Sequence, residues 1–129
     1  MELRIVFFWG WGMSVALILV SVLLNSVAQI LMKKGMSAFL LMDFSAMIRS
    51  VPLFLLNLWL WGAVLAYGMS FVLWLAVLSK TPVSVAFPFL SIGYVIVAVG
   101  GYFFFGERIS AVQICGLCAI CAGVFLVSR

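Results

Sequence analysis

Four long runs without a charged side chain divide this sequence, and they constrain its fold more than any other feature. They cover residues 5–32, 50–79, 81–106 and 109–128, and the ten charged residues of the chain lie between or beside them. A helix needs about 20 apolar residues to cross the hydrocarbon core of a bilayer. The sequence therefore predicts an all-α membrane protein with four transmembrane helices, at roughly 7–32, 53–79, 82–105 and 110–127.

The composition excludes most soluble classes of protein. Hydrophobic residues make up 68% of the chain and charged residues 8%, whereas a soluble domain carries about 25% charged residues. Little chain remains outside the four runs, so we expect one membrane domain over residues 1–129 and no soluble catalytic domain. The net charge of +4 is dispersed. It favours contact with lipid headgroups and not a nucleic-acid interface, which needs a clustered basic face.

Positive charges are nearly balanced across the predicted membrane. The N-terminus, the connection between the second and third helices and the C-terminus together carry three Lys or Arg residues, and the other two connections carry four. An excess of such residues normally fixes the orientation of a membrane protein. The near balance leaves two possibilities open: the chain inserts both ways, or a partner subunit decides its orientation.

Turn residues mark the ends of the predicted helices. Gly35 is expected to cap the first helix and Gly106 the third, because glycine readily adopts the left-handed conformation. Ser110 and Gln113 have the spacing of a capping box that begins the fourth helix. The short turns predict that the second, third and fourth helices are antiparallel neighbours. The long apolar segment 35–52 is predicted to lie in the membrane interface as a short helix or turn.

The three prolines fit this arrangement. Pro52 and Pro82 fall in the first turns of the second and third helices, where a missing N–H does no harm, and Thr81 can cap the third helix. Pro88 lies inside the third helix, where it removes a backbone hydrogen bond and frees a carbonyl near residue 84. A kink at Pro88 could serve gating or could be static, and the sequence leaves both readings open.

Polar and aromatic residues recur on one face of each of the first three predicted helices. Spacings of three, four or seven residues place side chains on one side of a helix. Serines alone often join membrane helices by hydrogen bonds, but two bulky amides followed by a cation favour a ligand pathway. The candidate substrate-binding residues are Ser21, Asn25, Gln29, Lys33, Tyr67, Ser70, Trp74, Phe87, Ser91 and Tyr94.

The chemistry of these candidates is neutral. No Asp, Glu or His lies within a spanning run, so proton coupling through a buried carboxylate has no carrier and an organic cation has no counter-charge. Amides and hydroxyls suit the hydroxyl groups of a sugar. Lys33 ends the polar stripe of the first predicted helix, which consists of Ser21, Asn25, Gln29 and Lys33, and it could receive a phosphate near the headgroups. No nucleophile and base are paired, so we expect neither enzymatic activity nor a cofactor.

The fourth predicted helix carries small residues and all three cysteines of the chain. Gly116 and Gly123 permit close approach of another helix, either as a dimer contact or within the subunit, and both alternatives stay open. Cys115, Cys118 and Cys121 have the two-residue spacing of metal ligands, but no histidine completes a site. Packing is the better interpretation for them, and we expect no metal.

Several segments resemble the small multidrug resistance branch of the drug/metabolite transporter superfamily, over nearly the whole chain. They are LMKKG at 31–35, KTPVSVAFPFLSIGYVIV at 80–97, FFFGERIS at 103–110 and GLCAICAGVFLV at 116–127. The resemblance implies a four-helix subunit that works as a dimer, whose two members usually insert in opposite orientations. That implication agrees with the near balance of positive charge.

This sequence lacks the membrane-embedded carboxylate that the drug exporters of this branch use for proton-coupled export. Their membrane-embedded glutamate corresponds to Asn25 here, their tyrosine in the third helix to Phe87, and a nearby tryptophan to Leu90. The sequence is more similar to the aminoarabinose–undecaprenyl phosphate flippase subunits, through SVAQ at 26–29, Ala86-Phe87-Pro88 and Leu90-Ser91.

This resemblance implies a multi-pass protein of the bacterial inner membrane. Such a protein would move a polyprenyl-phosphate-linked sugar for modification of lipid A or the envelope, as a homodimer or as a heterodimer with a homologous four-helix subunit. Two alternatives stay open. One is an exporter of a hydrophobic or cationic compound that lacks the usual glutamate, and the other is a membrane partner that does not transport.

Overall fold

The computed structural model describes residues 2–39 and 43–127, and within these ranges it contains helices and turns but no strand. Six α-helices follow one another along the chain, and a short 3₁₀ helix at Ser37–Phe39 comes after the first. Their bounds are α1 Glu2–Met36, α2 Phe44–Arg49, α3 Val51–Leu55, α4 Leu58–Leu78, α5 Val83–Phe105 and α6 Ala111–Val127.

Among the described residues, three stretches are long and apolar enough to cross a membrane: Ser14–Phe39, which contains most of α1, and the helices α4 and α5. The shorter helix α6 is equally apolar and has 17 residues. At 1.5 Å per residue it is about 25 Å long, slightly less than the hydrocarbon core. The prediction of a small all-α membrane protein is confirmed, and the molecule is a multi-pass membrane protein.

Helix α1 is the central element of the subunit. Both α4 and α5 pack along it, and α6 packs against α5. The core combines Ile18 and Val22 of α1 with Val77 of α4 and Ala86 of α5. The expectation that the second and third predicted helices pack as neighbours is wrong for most of their length, because α4 and α5 contact each other at few points. Both helices direct their buried faces to α1 instead.

Two glycines explain how closely α5 approaches α1. A Cβ atom on Gly93 would lie 3.3 Å from the Ser26 Oγ, and one on Gly100 would lie 2.5 Å from the Ile30 Cδ1. Without a Cβ atom at these positions, the two helices come close enough for many dispersion contacts. Such contacts hold membrane helices together, since lipid tails offer no hydrophobic drive for helix association. The contact between these helices therefore depends on small residues of α5.

The helix predicted to begin near residue 53 is divided in two at Asn57. Pro52 lies in the first turn of the short α3, as its missing N–H requires, and α4 begins only at Leu58. The Asn57 Oδ1 accepts a hydrogen bond of 3.0 Å from the Trp59 N–H and so caps α4. Its Nδ2 donates a 3.0 Å bond to the Gly35 carbonyl and joins this corner to α1.

Gly35 does not cap α1, because the helix continues through it to Met36. A Cβ atom at this position would lie 2.8 Å from the Leu60 Cδ2, so glycine is needed here for the approach of α4. After α1, the segment predicted to lie in the interface contains the 3₁₀ helix, α2 and α3, and residues 40–42 fall outside the described residues. Its place in the membrane interface stays a prediction.

Of the three remaining predictions about helix ends, two are confirmed and one is wrong. Gly106 ends α5 in the left-handed conformation, with φ 65°. The capping box is present: the Gln113 Oε1 accepts from the Ser110 N–H at 2.8 Å, and the Ser110 Oγ accepts from the Gln113 N–H at 3.2 Å. Thr81 does not cap α5, since its N–H bonds to the Val77 carbonyl at the end of α4 and Pro82 precedes α5.

The Asn57 corner predicts a measurable loss of stability. We expect Asn57→Ala to lower the free energy of unfolding by about 1–2 kcal/mol, because it removes a helix cap and a bond to the Gly35 carbonyl. Unfolding in mixed micelles, titrated with a denaturing detergent, measures this difference. Ser79→Ala is the control, since the Ser79 Oγ bonds only to Ala76 of its own helix. Equal unfolding midpoints for the two variants would contradict the prediction.

Candidate functional site

A cavity of about 140 Å³ lies among α1, α4 and α5. It is lined by seven residues, and five of them are among the ten candidates predicted from the sequence. The polar stripe of α1 and the polar and aromatic face of α4 therefore meet. The lining residues are Ser21, Asn25, Tyr67, Ser70, Phe71, Trp74 and Leu90.

The two serines of the cavity hold α1 and α4 together. The buried Ser70 Oγ donates a 2.7 Å hydrogen bond to the Ser21 carbonyl, and the buried Ser21 Oγ donates a 2.8 Å bond to the Ile18 carbonyl of its own helix. Each hydroxyl proton is thus committed to a backbone carbonyl, although the oxygen can still accept a bond. The Ser70 hydroxyl therefore joins two helices, whereas the Ser21 hydroxyl bonds within α1.

Asn25 differs from the serines, because its amide oxygen is unsatisfied. The Asn25 Oδ1 is buried and has no hydrogen-bond partner among the described residues. Leaving a buried polar atom without a partner costs about 1–3 kcal/mol. A ligand that donates a hydrogen bond in the cavity would remove this cost. The cavity therefore contains an acceptor that is available for a hydroxyl or an ammonium group.

Aromatic rings form the wall of the cavity on α4. The Trp74 ring meets the Phe87 ring of α5 edge to face, with centroids 5.7 Å apart and an angle of 72° between the planes. Tyr67 and Phe71 are 51% and 56% exposed, so the cavity opens at the surface of the subunit beside them. In a membrane protein this surface faces lipid or a second subunit.

Gln29 and Lys33 continue the stripe of α1 beyond the cavity. Both side chains are exposed, and neither lines the cavity. Lys33 lies eight residues after Asn25, which is about 12 Å along the helix. Its ammonium group pairs with the Glu107 carboxylate, and it lies 5.1 Å from the centre of the Phe105 ring. Lys33 is therefore tied to the end of α5 in this structure.

The candidates on α5 lie beside the cavity or away from it. Phe87 is half exposed and contacts Trp74, while Ser91 is partly buried and Tyr94 is 66% exposed. None of these three lines the cavity. Pro88 is partly buried inside α5, which continues through it. Roles for these residues in binding or gating stay predictions.

The sequence reasoning missed three residues of this region. Phe71 and Leu90 line the cavity, and Glu107 pairs with Lys33. Phe71 lies four residues after Tyr67, so helical spacing gave a signal for it. Glu107 could have been found from topology. One crossing, α4, lies between α1 and α5, so these two helices run in the same direction. Both therefore end on the same side of the membrane and bring Lys33 and Glu107 to one level.

The small residues of α6 face away from the subunit. A Cβ atom on Gly116 or Gly123 would meet nothing within 4 Å among the described residues, so the described packing does not use them. Cys115, Cys118 and Cys121 are free and exposed. Among the described residues no group of His, Cys, Asp or Glu is arranged to hold a metal ion. A dimer contact through Gly116 and Gly123 stays a prediction.

The apolar helices, with a cavity that carries a few polar side chains and opens at the subunit surface, define a class, that of small multi-pass membrane transport proteins. The chain belongs to the EamA-like transporter family, which it matches over residues 3–129. This confirms the resemblance to the drug/metabolite transporters.

Two curated relatives of this chain share the name "Probable 4-amino-4-deoxy-L-arabinose-phosphoundecaprenol flippase subunit ArnE". The protein of Pseudomonas aeruginosa (strain UCBPP-PA14) is 32% identical over 120 residues, which are 91% of this chain and 98% of that protein. The protein of Yersinia pestis (strain Pestoides F) is 39% identical over 70 residues, 54% of this chain and 61% of that protein. These relatives are named as flippase subunits and not as enzymes. No solved structure matches the chain.

The unsatisfied oxygen of Asn25 gives the second prediction. We expect Asn25→Leu to raise the free energy of unfolding by about 1 kcal/mol, because it replaces a buried acceptor without a partner by an apolar group. Ser26→Ala is the control, since Ser26 is buried on the same helix but bonds to the Val22 carbonyl. Unfolding in mixed micelles measures both variants. A clear loss of stability in Asn25→Leu alone would mean that Asn25 joins helices.

Proposed function

We propose that this protein is a subunit of a flippase that moves an undecaprenyl-phosphate-linked sugar across the bacterial inner membrane, for modification of lipid A or other envelope components. Membership of a transporter family and the name shared by the relatives support this proposal. The sugar is proposed to be 4-amino-4-deoxy-L-arabinose or a similar one, because the relatives are named for it.

The observation that carries the proposal is the buried, unsatisfied Asn25 Oδ1 in a cavity without an acidic lining residue. An amide oxygen accepts a hydrogen bond from a sugar hydroxyl or from an ammonium group. The Ser21 and Ser70 oxygens and the Tyr67 hydroxyl add further polar atoms, and Trp74 adds an aromatic face. A mostly apolar pocket with a few polar groups is typical of small-molecule sites.

The polar stripe of α1 suggests that the sugar and the phosphate of the lipid bind at two different positions along this helix. The sugar occupies the cavity at Asn25, and the phosphate approaches Lys33 at the end of the helix. Gln29 lies one turn from each of them, about 6 Å along the axis. The polyprenyl chain stays in the bilayer and passes the open side of the cavity beside Tyr67 and Phe71.

A second subunit completes the proposed site. The cavity of about 140 Å³ is smaller than most ligand pockets, which measure about 300–1,000 Å³. Within the spanning stretches, only 17–28% of residues are buried inside the subunit, so much apolar surface is free for a partner. We propose a homodimer or a heterodimer with a homologous four-helix subunit, with Gly116 and Gly123 of α6 at the contact.

Loss of the bound lipid in two variants tests the flippase proposal. Native mass spectrometry of the protein, gently extracted from its own membrane, should find an undecaprenyl-phosphate-linked sugar. Asn25→Leu and Lys33→Ala should lower its occupancy at least tenfold, since each removes a polar contact to the head group. Ser26→Ala is the control and should keep the lipid. Bulk phospholipid alone, unchanged by either substitution, would contradict the proposal.

Export of a hydrophobic cation is the second candidate, and the aromatic wall of Tyr67, Phe71 and Trp74 favours it, because aromatic rings attract cations. Against it, no acidic residue lines the described cavity, so nothing there could couple export to protons. We expect expression of the chain to give no protection against toxic cations. The minimal inhibitory concentration measures this, and a rise that depends on Trp74 would favour the exporter.

A further inference from the structure

We propose that Glu107 is a displaceable counter-ion for Lys33, which makes the end of α1 selective for lipids that carry a phosphate. This inference rests on the proposed function and adds a residue to it. In the substrate-free subunit, Glu107 holds the ammonium group of Lys33. A phosphate of the incoming lipid then takes its place.

Lys33 has two partners, and both lie at the end of α5. Its ammonium group pairs with the Glu107 carboxylate and lies 5.1 Å from the centre of the Phe105 ring. The neighbouring Lys34 points elsewhere, to the Trp59 ring of α4 at 3.9 Å. Of the two lysines, only Lys33 therefore combines a place on the polar stripe with an acidic partner.

The backbone conformation around Glu107 brings its carboxylate to the end of α5, beside the Lys33 ammonium group. Gly106 turns the chain with φ 65°, and the Glu107 N–H donates a 3.2 Å hydrogen bond to the Gly101 carbonyl. A Cβ atom on Gly101 would lie 2.6 Å from the Glu107 Oε2, so the carboxylate fills the space that any other residue would occupy. Glycine at position 101 thus lets Glu107 fold back over the end of α5.

The ion pair of Lys33 and Glu107 is accessible enough for another anion to replace the Glu107 carboxylate. The side chains of Lys33 and Glu107 are 52% and 45% exposed, and exposed ion pairs are weak because water competes for both charges. The phosphate that links a lipid to a sugar carries one negative charge, as a carboxylate does, and forms strong charge-assisted bonds with cations. Phosphate can therefore displace Glu107, whereas a neutral polyprenol cannot. Glu107 acts as a positioning and specificity residue through Lys33.

Binding of undecaprenyl phosphate, compared with neutral undecaprenol, tests this role. Native mass spectrometry of the full chain in micelles gives a Kd for each probe. We expect the unsubstituted protein to prefer the phosphate. Glu107→Gln should tighten phosphate binding about two- to fivefold, the range that an exposed pair allows. Undecaprenol binding should not change. In a Lys33→Gln background, Glu107→Gln should have no effect.

A second variant moves the carboxylate without removing it. Gly101→Ala should displace Glu107 and tighten phosphate binding in the same direction as Glu107→Gln. Gly68→Ala is the matched control, since a Cβ atom there meets nothing within 4 Å. Asp43→Asn makes the same change of net charge at another exposed carboxylate and should leave binding unchanged.

The outcomes separate the inference from the proposed function. If the unsubstituted protein prefers undecaprenyl phosphate but Glu107→Gln binds it no better, the counter-ion role is wrong and the flippase proposal stands. The same conclusion follows if Asp43→Asn gives an equal gain, or if the gain persists without Lys33. If the unsubstituted protein does not prefer the phosphate over undecaprenol, both proposals fall.

Discussion

The packing of two helices against α1 is the interaction on which the rest of this structure depends. Inside a bilayer, helix association removes no apolar surface from water, so the hydrophobic effect does not drive it. Close contact and internal hydrogen bonds must hold the helices together. Gly93 and Gly100 of α5 let that helix approach α1, and Gly35 of α1 admits Leu60 of α4. Because α4 and α5 both use α1 and contact each other little, a gap remains between them, and the cavity opens there.

The same arrangement explains why Asn25 matters more than the other polar residues. The serines at 21, 26 and 70 direct their protons to backbone carbonyls, which is a sufficient reason for them to be in a membrane helix. Asn25 lies on the same side of α1, yet its Oδ1 meets no protein donor among the described residues. A chain that needed only helix contacts would gain stability from an apolar residue here. The unsatisfied amide supports the proposal that Asn25 binds a ligand.

Sequence reasoning worked where one helix or one turn holds the information. The uncharged runs predicted the apolar helices, and the turn of Gly106 with the capping box of Ser110 and Gln113 is as predicted. It failed where the decisive contact joins distant parts of the chain. Asn57 divides a helix because its side chain reaches the Gly35 carbonyl, and no local pattern shows that bond. For the site, the shared face of α1 and α4 was predictable, but Phe71, Leu90 and the partner of Lys33 needed three-dimensional contacts.

The neutral and the charged residues of the proposed site lie at different places along α1. The described cavity residues are neutral, while Lys33 and Glu107 stand at the end of α1, where water and headgroups begin. A neutral interior places no charge barrier in front of a sugar, and it does not hold a phosphate at depth, since an ion there needs a partner. The phosphate is favoured at the end of α1, where Lys33 already has an anionic partner to exchange. The proposed substrate, a sugar carried on a lipid phosphate, would therefore meet this protein at two separate points, the amide of Asn25 and the ammonium group of Lys33.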